Sequence, residues 1–159
     1  MVLHLERRVG YMLGQTHRKV AAELGARFRP YDMTIEQWGV LFRLVEEEGI
    51  NQKGLAERCG KDQPTLTRIV QHLLRKGWVE RRTCEQDRRA YRLAVTAAGR
   101  SIVDKLIPIE QEYIAQVMAG FSSDEEQHLL QQLQRIQDNS AAAEKERLAA
   151  ASQGSGTNK

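Results

Sequence analysis

Cysteine and proline are both scarce in this chain. Cys59 and Cys84 are the two cysteines among 159 residues, too few for a disulfide scaffold. Pro30, Pro64 and Pro108 are the three prolines, so long stretches are free to be helical. There is no glycine-rich phosphate loop and no Ser/His/Asp order with supporting context. The four histidines, His4, His17, His72 and His128, are scattered, and nothing has zinc-ligand spacing. Glu125-x-x-His128 is half of a helical metal pair whose second copy is missing. An enzyme needs convergent titratable groups, and the sequence offers none. The expectation is therefore no catalysis, no cofactor and no metal. No apolar run approaches the roughly 20 residues that span a bilayer. The first ten residues carry Glu6, Arg7 and Arg8 without an apolar core, which is not a secretory signal. A cytoplasmic protein without a membrane partner is expected.

What is present is an ordinary globular composition, 41% hydrophobic and 28% charged, with an uneven charge map. The net charge of +3 conceals it. Residues 1–50 carry seven basic and seven acidic side chains, residues 51–100 twelve basic and five acidic, and residues 101–159 five basic and nine acidic. A basic middle between neutral and acidic flanks is the footprint of a module that meets a polyanion.

Periodicity sets the order of elements. Leu5, Val9, Met12, Leu13, Val20 and Leu24 recur at helical spacing and predict one helix from about Leu3 to Ala26, ended by Pro30. Thr34-Ile35-Glu36-Gln37 reads as a capping box opening a second helix with the stripe Ile35, Trp38, Leu41, Phe42 and Val45. Asn51 caps a short helix to Cys59, with Leu55 and Ala56 inward. After a turn at Gly60-Lys61-Asp62, Pro64 suits the first turn of another helix, to Lys76. Leu66, Ile69, Val70, Leu73 and Leu74 are its buried face, and Gly77 ends it. The period then changes to two: residues 79–83 and 91–95 predict short strands around a polar tip over 84–90. Thr96 caps a helix to about Ala119 with the stripe Ile102, Leu106, Ile109, Tyr113 and Val117, and Pro108 is expected to bend it. Ser122-Ser123-Asp124-Glu125-Glu126 opens a last helix with Leu129, Leu130, Leu133 and Ile136. Residues 141–159 read as a mobile tail, poor in apolar groups.

Helix, short helix, turn, amphipathic helix, glycine and charged hairpin together make a winged helix-turn-helix. The fold class is mainly α with a small β wing. The expected partner is double-stranded DNA. Gln63, Pro64, Thr65, Thr67, Arg68 and Gln71 lie at the start or on the polar face of the helix that would enter the major groove, where short hydroxyls allow close approach and Arg and Gln suit base edges. Arg81, Arg82, Arg88, Arg89 and Arg92 sit on the hairpin, from which an arginine can enter a narrow minor groove.

These residues resemble the MarR family of bacterial transcription regulators. The resemblance rests on Leu55-Ala56-Glu57-Arg58, Thr65-Leu66-Thr67-Arg68-Ile69-Val70, the run Leu73 to Arg81, and Asp87-Arg88-Arg89-Ala90. It extends to Thr34-x-x-Gln37-Trp38 and to Thr96-Ala97-Ala98-Gly99-Arg100, and covers about residues 5–137. One departure is Ala94-Val95, where the family more often has a leucine directly before the threonine. The resemblance implies a homodimer that binds a palindromic operator, represses by occupancy and is released by a small ligand. Residues 1–30 and 101–140 would be dimerisation helices around a DNA-binding lobe at 31–100. The apolar stripes outside the lobe independently call for a partner surface. Carried over by position, Asp87 would pair with Arg89 and stiffen the wing tip, Arg89 would enter the minor groove, and Arg81 and Arg82 would touch phosphates. A low-specificity architectural DNA binder and a helical adaptor for an acidic protein are the competing readings.

Two further readings keep their plainer alternatives. His17, Tyr31 and Trp38 are placed to line a cleft for a small aromatic or phenolic effector. Equally, Trp38 is core and His17 a helix-surface residue. Cys59 beside Arg58 and Lys61, and Cys84 near Arg82, are positioned for redox sensing. Equally, Cys59 is a small buried hydrophobe and Cys84 an incidental thiol.

Overall fold

The structure is a computed structural model. It describes the backbone of residues 5, 8–84 and 87–154, and their side chains except those of 84, 87–90 and 152–154. The chain divides into two compact units, Met1–Val117 and Met118–Lys159.

The first unit opens with α1, Val9–Phe28. A 3-10 turn, Arg29–Tyr31, holds Pro30 and ends at Asp32 in the left-handed region, φ 53°. Helix α2, Ile35–Glu46, starts with the capping box the sequence predicts: the Gln37 N–H donates to Thr34 Oγ1 at 3.2 Å, and the Thr34 N–H to Gln37 Oε1 at 3.4 Å. Helix α3, Gln52–Cys59, begins where the Asn51 carboxamide accepts the Gly54 N–H at 2.8 Å. Helix α4 is Gln63–Arg75, followed by Gly77 at φ +68°. Strands β1, Val79–Cys84, and β2, Asp87–Val95, pair antiparallel in register Val79↔Val95 to Thr83↔Tyr91, with an irregularity between Thr83 and Cys84. Helix α5, Ala97–Val117, runs through Pro108.

The core lies where α2, α3 and α4 meet the strand base and α5. Phe28, Val40, Leu41, Leu44, Leu55, Leu66, Val70, Leu73, Leu93 and Leu106 are almost wholly shielded from solvent. Trp38 packs edge-on to Phe28, ring centroids 5.2 Å apart. Its indole N–H donates to Glu110 Oε1 on α5 at 3.1 Å, which gives a buried tryptophan the polar partner it needs.

Several boundaries differ from those the sequence predicts. β2 begins at Asp87 rather than at residue 91. Ladder bonds come from the backbone, so charged side chains standing outward do not end a two-stranded ribbon. The predicted long tip is therefore paired down to Cys84↔Asp87. α1 starts at Val9, about six residues later than expected, and ends at Phe28, two later. In the second unit, α6 runs Ser123–Gly154, well past Asn139. Residues 141–151 hold six alanines among Glu, Lys, Arg and Leu. They have little to bury, yet alanine is the strongest helix former, so the segment read as a tail is helical as far as Gly154.

Candidate nucleic-acid interface

Helix α4 is built to bury one face and offer the other. Leu66, Ile69, Val70 and Leu73 are buried, while Gln63, Pro64, Arg68, Gln71 and Arg75 are exposed. The helix starts on Asp62, a cap the sequence reading left as part of a turn. The Asp62 carboxylate accepts the Thr65 N–H at 2.7 Å and the Thr65 hydroxyl at 3.0 Å. The end of α4 is tied down by Lys76. Its ammonium donates to the Asp32 carbonyl, pairs with the Asp32 carboxylate at 3.0 Å, donates to Gln37 Oε1 at 3.1 Å and lies 4.7 Å from the Trp78 ring centroid. The recognition helix is thus joined to the capping box of α2.

Arg68 and Gln71, one turn apart, form no hydrogen bond or ion pair with any described residue, so their polar ends are free to meet a ligand. Thr65 and Thr67 are half-buried and already engaged. The Thr67 hydroxyl donates to the Gln63 carbonyl at 2.8 Å and accepts from Gln52 Nε2 at 2.6 Å.

The wing base is fixed to the α2–α3 loop by backbone bonds. The Gly49 N–H donates to the Leu93 carbonyl at 3.3 Å, and the Leu93 N–H to the Ile50 carbonyl at 3.4 Å. Arg92 Nη1 reaches the Gly49 carbonyl at 3.2 Å. Arg81 lies over the Tyr91 ring, 4.6 Å from its centroid. Arg82 pairs with Glu80 through Nε and Nη2, at 2.8 and 2.7 Å. Both partners are about half exposed, so the pair contributes little and yields readily to a phosphate. The side chains of Asp87, Arg88 and Arg89, with the expected wing ion pair, lie outside the described residues, as does that of Cys84.

The remaining sequence-selected residues are dispersed. His17 is exposed on α1, Tyr31 is partly exposed at the 3-10 turn, and Trp38 is 5% exposed in the core. A cavity of about 330 Å³ beside α1 and the start of α2 is lined by Ala21, Ala22, Gly25, Arg29, Asp32 and Ile35 among others. None of the three lines it. Cys59 is half-buried, and burial pushes its thiol pKa up despite the cations Lys61 and Arg43. Arg58, expected to favour the thiolate, is instead paired with Glu47 at 3.1 Å. Among the described residues no group of His, Cys, Asp and Glu is placed to hold a metal ion, and no helix is long and apolar enough to cross a membrane.

The Asp62 cap has a pH signature. Hydrogen bonds from the Thr65 backbone N–H, first, and the Thr65 hydroxyl hold the Asp62 carboxyl below the usual carboxylate range. A depressed folded-state pKa gives stability that is complete above the ordinary aspartate value and is lost as pH falls through the lowered one. Acid titration followed by helix circular dichroism should show this loss in the native chain. Asp62→Asn, which caps as well without titrating, should show a smaller one.

A compact trihelical lobe with an exposed polar helix face and a cationic two-stranded wing defines a winged helix-turn-helix DNA-binding protein. The MarR family model matches residues 31–90. A MarR transcriptional regulator from Methanosarcina mazei Go1 is similar at 27% identity over 85% of this chain and 97% of that one, TM-score 0.75. MepR of S. aureus, solved as a DNA complex, is 20% identical over 84% and 97%, TM-score 0.75. BpsR of Bordetella bronchiseptica, whose DNA binding is regulated by 6-hydroxynicotinic acid, is 19% identical over 87% and 99%, TM-score 0.78. The match over residues 31–90 and the likeness of the whole fold make the chain similar to the DNA-binding transcription regulators of the MarR family.

Proposed function

We propose that the chain acts as a homodimeric repressor that occupies a palindromic operator and leaves it when a small aromatic or phenolic acid binds. The observation that carries the dimer is the exposure of apolar side chains outside the DNA-binding lobe. Val9 is 64% and Met12 43% exposed on α1, and Leu130 60% and Ile136 39% on α6. Such faces are costly in water, and a second copy covers them. Residues 1–30 and 101–140 are the proposed dimerisation helices. Two-fold symmetry then sets two copies of α4 in successive major grooves, about one helical turn apart. The MepR–DNA complex supports the DNA role, and the control of BpsR by 6-hydroxynicotinic acid supports the ligand class. Release is a population shift: the ligand favours a lobe spacing that does not match the operator.

Selection of bound fragments from a random duplex library at about 150 mM salt tests this reading, because screening suppresses purely electrostatic binding. A recovered palindrome is the expected result. Binding without an enriched motif would instead indicate a low-specificity architectural protein.

Within this reading, Arg81 and Arg82 hold phosphates and Arg89 enters the minor groove. Arg82→Ala should weaken all duplexes alike and lower the slope of log affinity against log salt by about one per lost contact. Arg89→Ala should weaken binding most where the flanks are A·T-rich. Equal losses on A·T-rich and G·C-rich flanks would remove Arg89 from the groove.

A further inference from the structure

Three side chains link the wing to the recognition helix. The Tyr91 hydroxyl on β2 lies 2.9 Å from Gln52 Oε1, and Gln52 Nε2 lies 2.6 Å from Thr67 Oγ1 on α4. Thr67 Oγ1 in turn lies 2.8 Å from the Gln63 carbonyl. The proton order follows from chemistry. The Gln63 carbonyl only accepts, so the Thr67 hydroxyl donates to it and accepts from its other side. That side must be the Gln52 NH₂, which turns the Gln52 carbonyl toward Tyr91 and makes Tyr91 the donor. Every link thus has one donor and one acceptor, running from the wing to the first turn of α4.

Gln52 is half-buried at the start of α3, between the two elements that meet DNA. Tyr91 also carries Arg81 over its ring, so the phenol that anchors to Gln52 also seats a wing cation.

We propose that Gln52 is a positioning residue whose amide ties the wing, through Tyr91, to the recognition helix, through Thr67, so that both elements are held at one spacing for DNA. The inference rests on the DNA-binding reading above. Pre-setting that spacing reduces the ordering that binding would otherwise require. Its value is realised only on a duplex that both elements engage in register.

The test measures affinity of the full chain for the duplex recovered by selection and for a scrambled duplex of the same length and composition. Gln52→Leu and Tyr91→Phe should each weaken the selected duplex about three- to tenfold, the range of one or two hydrogen bonds. Neither should change the scrambled duplex or the thermal midpoint. Thr67→Val should weaken the selected duplex, and Thr67→Ser, which keeps the hydroxyl, should restore it. Tyr91→Phe combined with Thr67→Val should lose no more than the worse single variant, and neither should add a loss in a Gln52→Leu background. Losses that multiply would make Tyr91 and Thr67 independent contacts and overturn the inference. So would a thermal midpoint that falls in step with affinity, since Gln52 would then be an ordinary folding contact. A native chain that binds no duplex would overturn the DNA-binding reading itself and the inference with it.

Discussion

Adding one methyl group at Gly99 is expected to lower the unfolding free energy by about 3 kcal/mol, the upper end of the usual cost of overpacking. A Cβ at this position would stand 2.1 Å from the Trp78 carbonyl oxygen and 2.8 Å from Val95 Cγ1. The carbonyl is backbone and cannot rotate away. It already accepts the Thr96 N–H at 3.0 Å. Thr96 also donates through Oγ1 to the Gly77 carbonyl at 2.6 Å and accepts the Gly99 N–H at 3.0 Å. The start of α5 is therefore clamped to the turn between α4 and β1, and relieving the contact breaks the clamp. Gly39, in the interior of α2, is the control: a Cβ there meets nothing within 4 Å. Gly39→Ala should raise stability by about 0.5–1 kcal/mol through helix propensity alone. Urea unfolding of both variants decides the matter. Similar midpoints for Gly99→Ala and the native chain would contradict the close approach.

Arg68→Ala is expected to weaken binding to the selected duplex by about 1–3 kcal/mol per half-site, about fivefold or more for each, and to relax preference at one base pair in each half. Arg68 is exposed on the α4 face opposite Leu66, Ile69, Val70 and Leu73, and no described residue holds it. Its guanidinium is thus available for a guanine edge without first breaking an ion pair. For the same reason its loss should leave the thermal midpoint unchanged. Arg82 differs, being paired with Glu80 on its own strand, and its loss should act on all sequences alike. Repeating the selection with Arg68→Ala separates the two roles. An unchanged motif with uniformly weaker binding would make Arg68 a phosphate contact.

Much of this architecture was legible because its signals are local. Thr34 and Gln37 lie three residues apart, and so do Asn51 and Gly54. Capping chemistry at such distances is written directly in the sequence. The α4 stripe and the period-two strands were equally plain. The Asp62 cap was missed although its partner is Thr65, because Gly60-Lys61-Asp62 also spells a turn. The wing–helix link was not legible, since Gln52 meets Thr67 across 15 residues and Tyr91 across 39. Neither was the reach of Lys76 to Asp32, 44 residues away. Gly99 was visible as a motif position, but its reason, the Trp78 carbonyl, is a tertiary contact. Tyr31, Trp38 and His17 were grouped because aromatic and polar residues suit a pocket. Trp38 packs against Phe28 and Phe42, and His17 is exposed on α1.

The central claim is that two copies of α4 read two half-sites at a fixed spacing. Inserting half a helical turn, about five base pairs, between the half-sites of the selected duplex tests it most directly, because the second half-site then faces the opposite side of the helix. The account predicts that affinity falls to that of a scrambled duplex. Affinity that survives the insertion would contradict it.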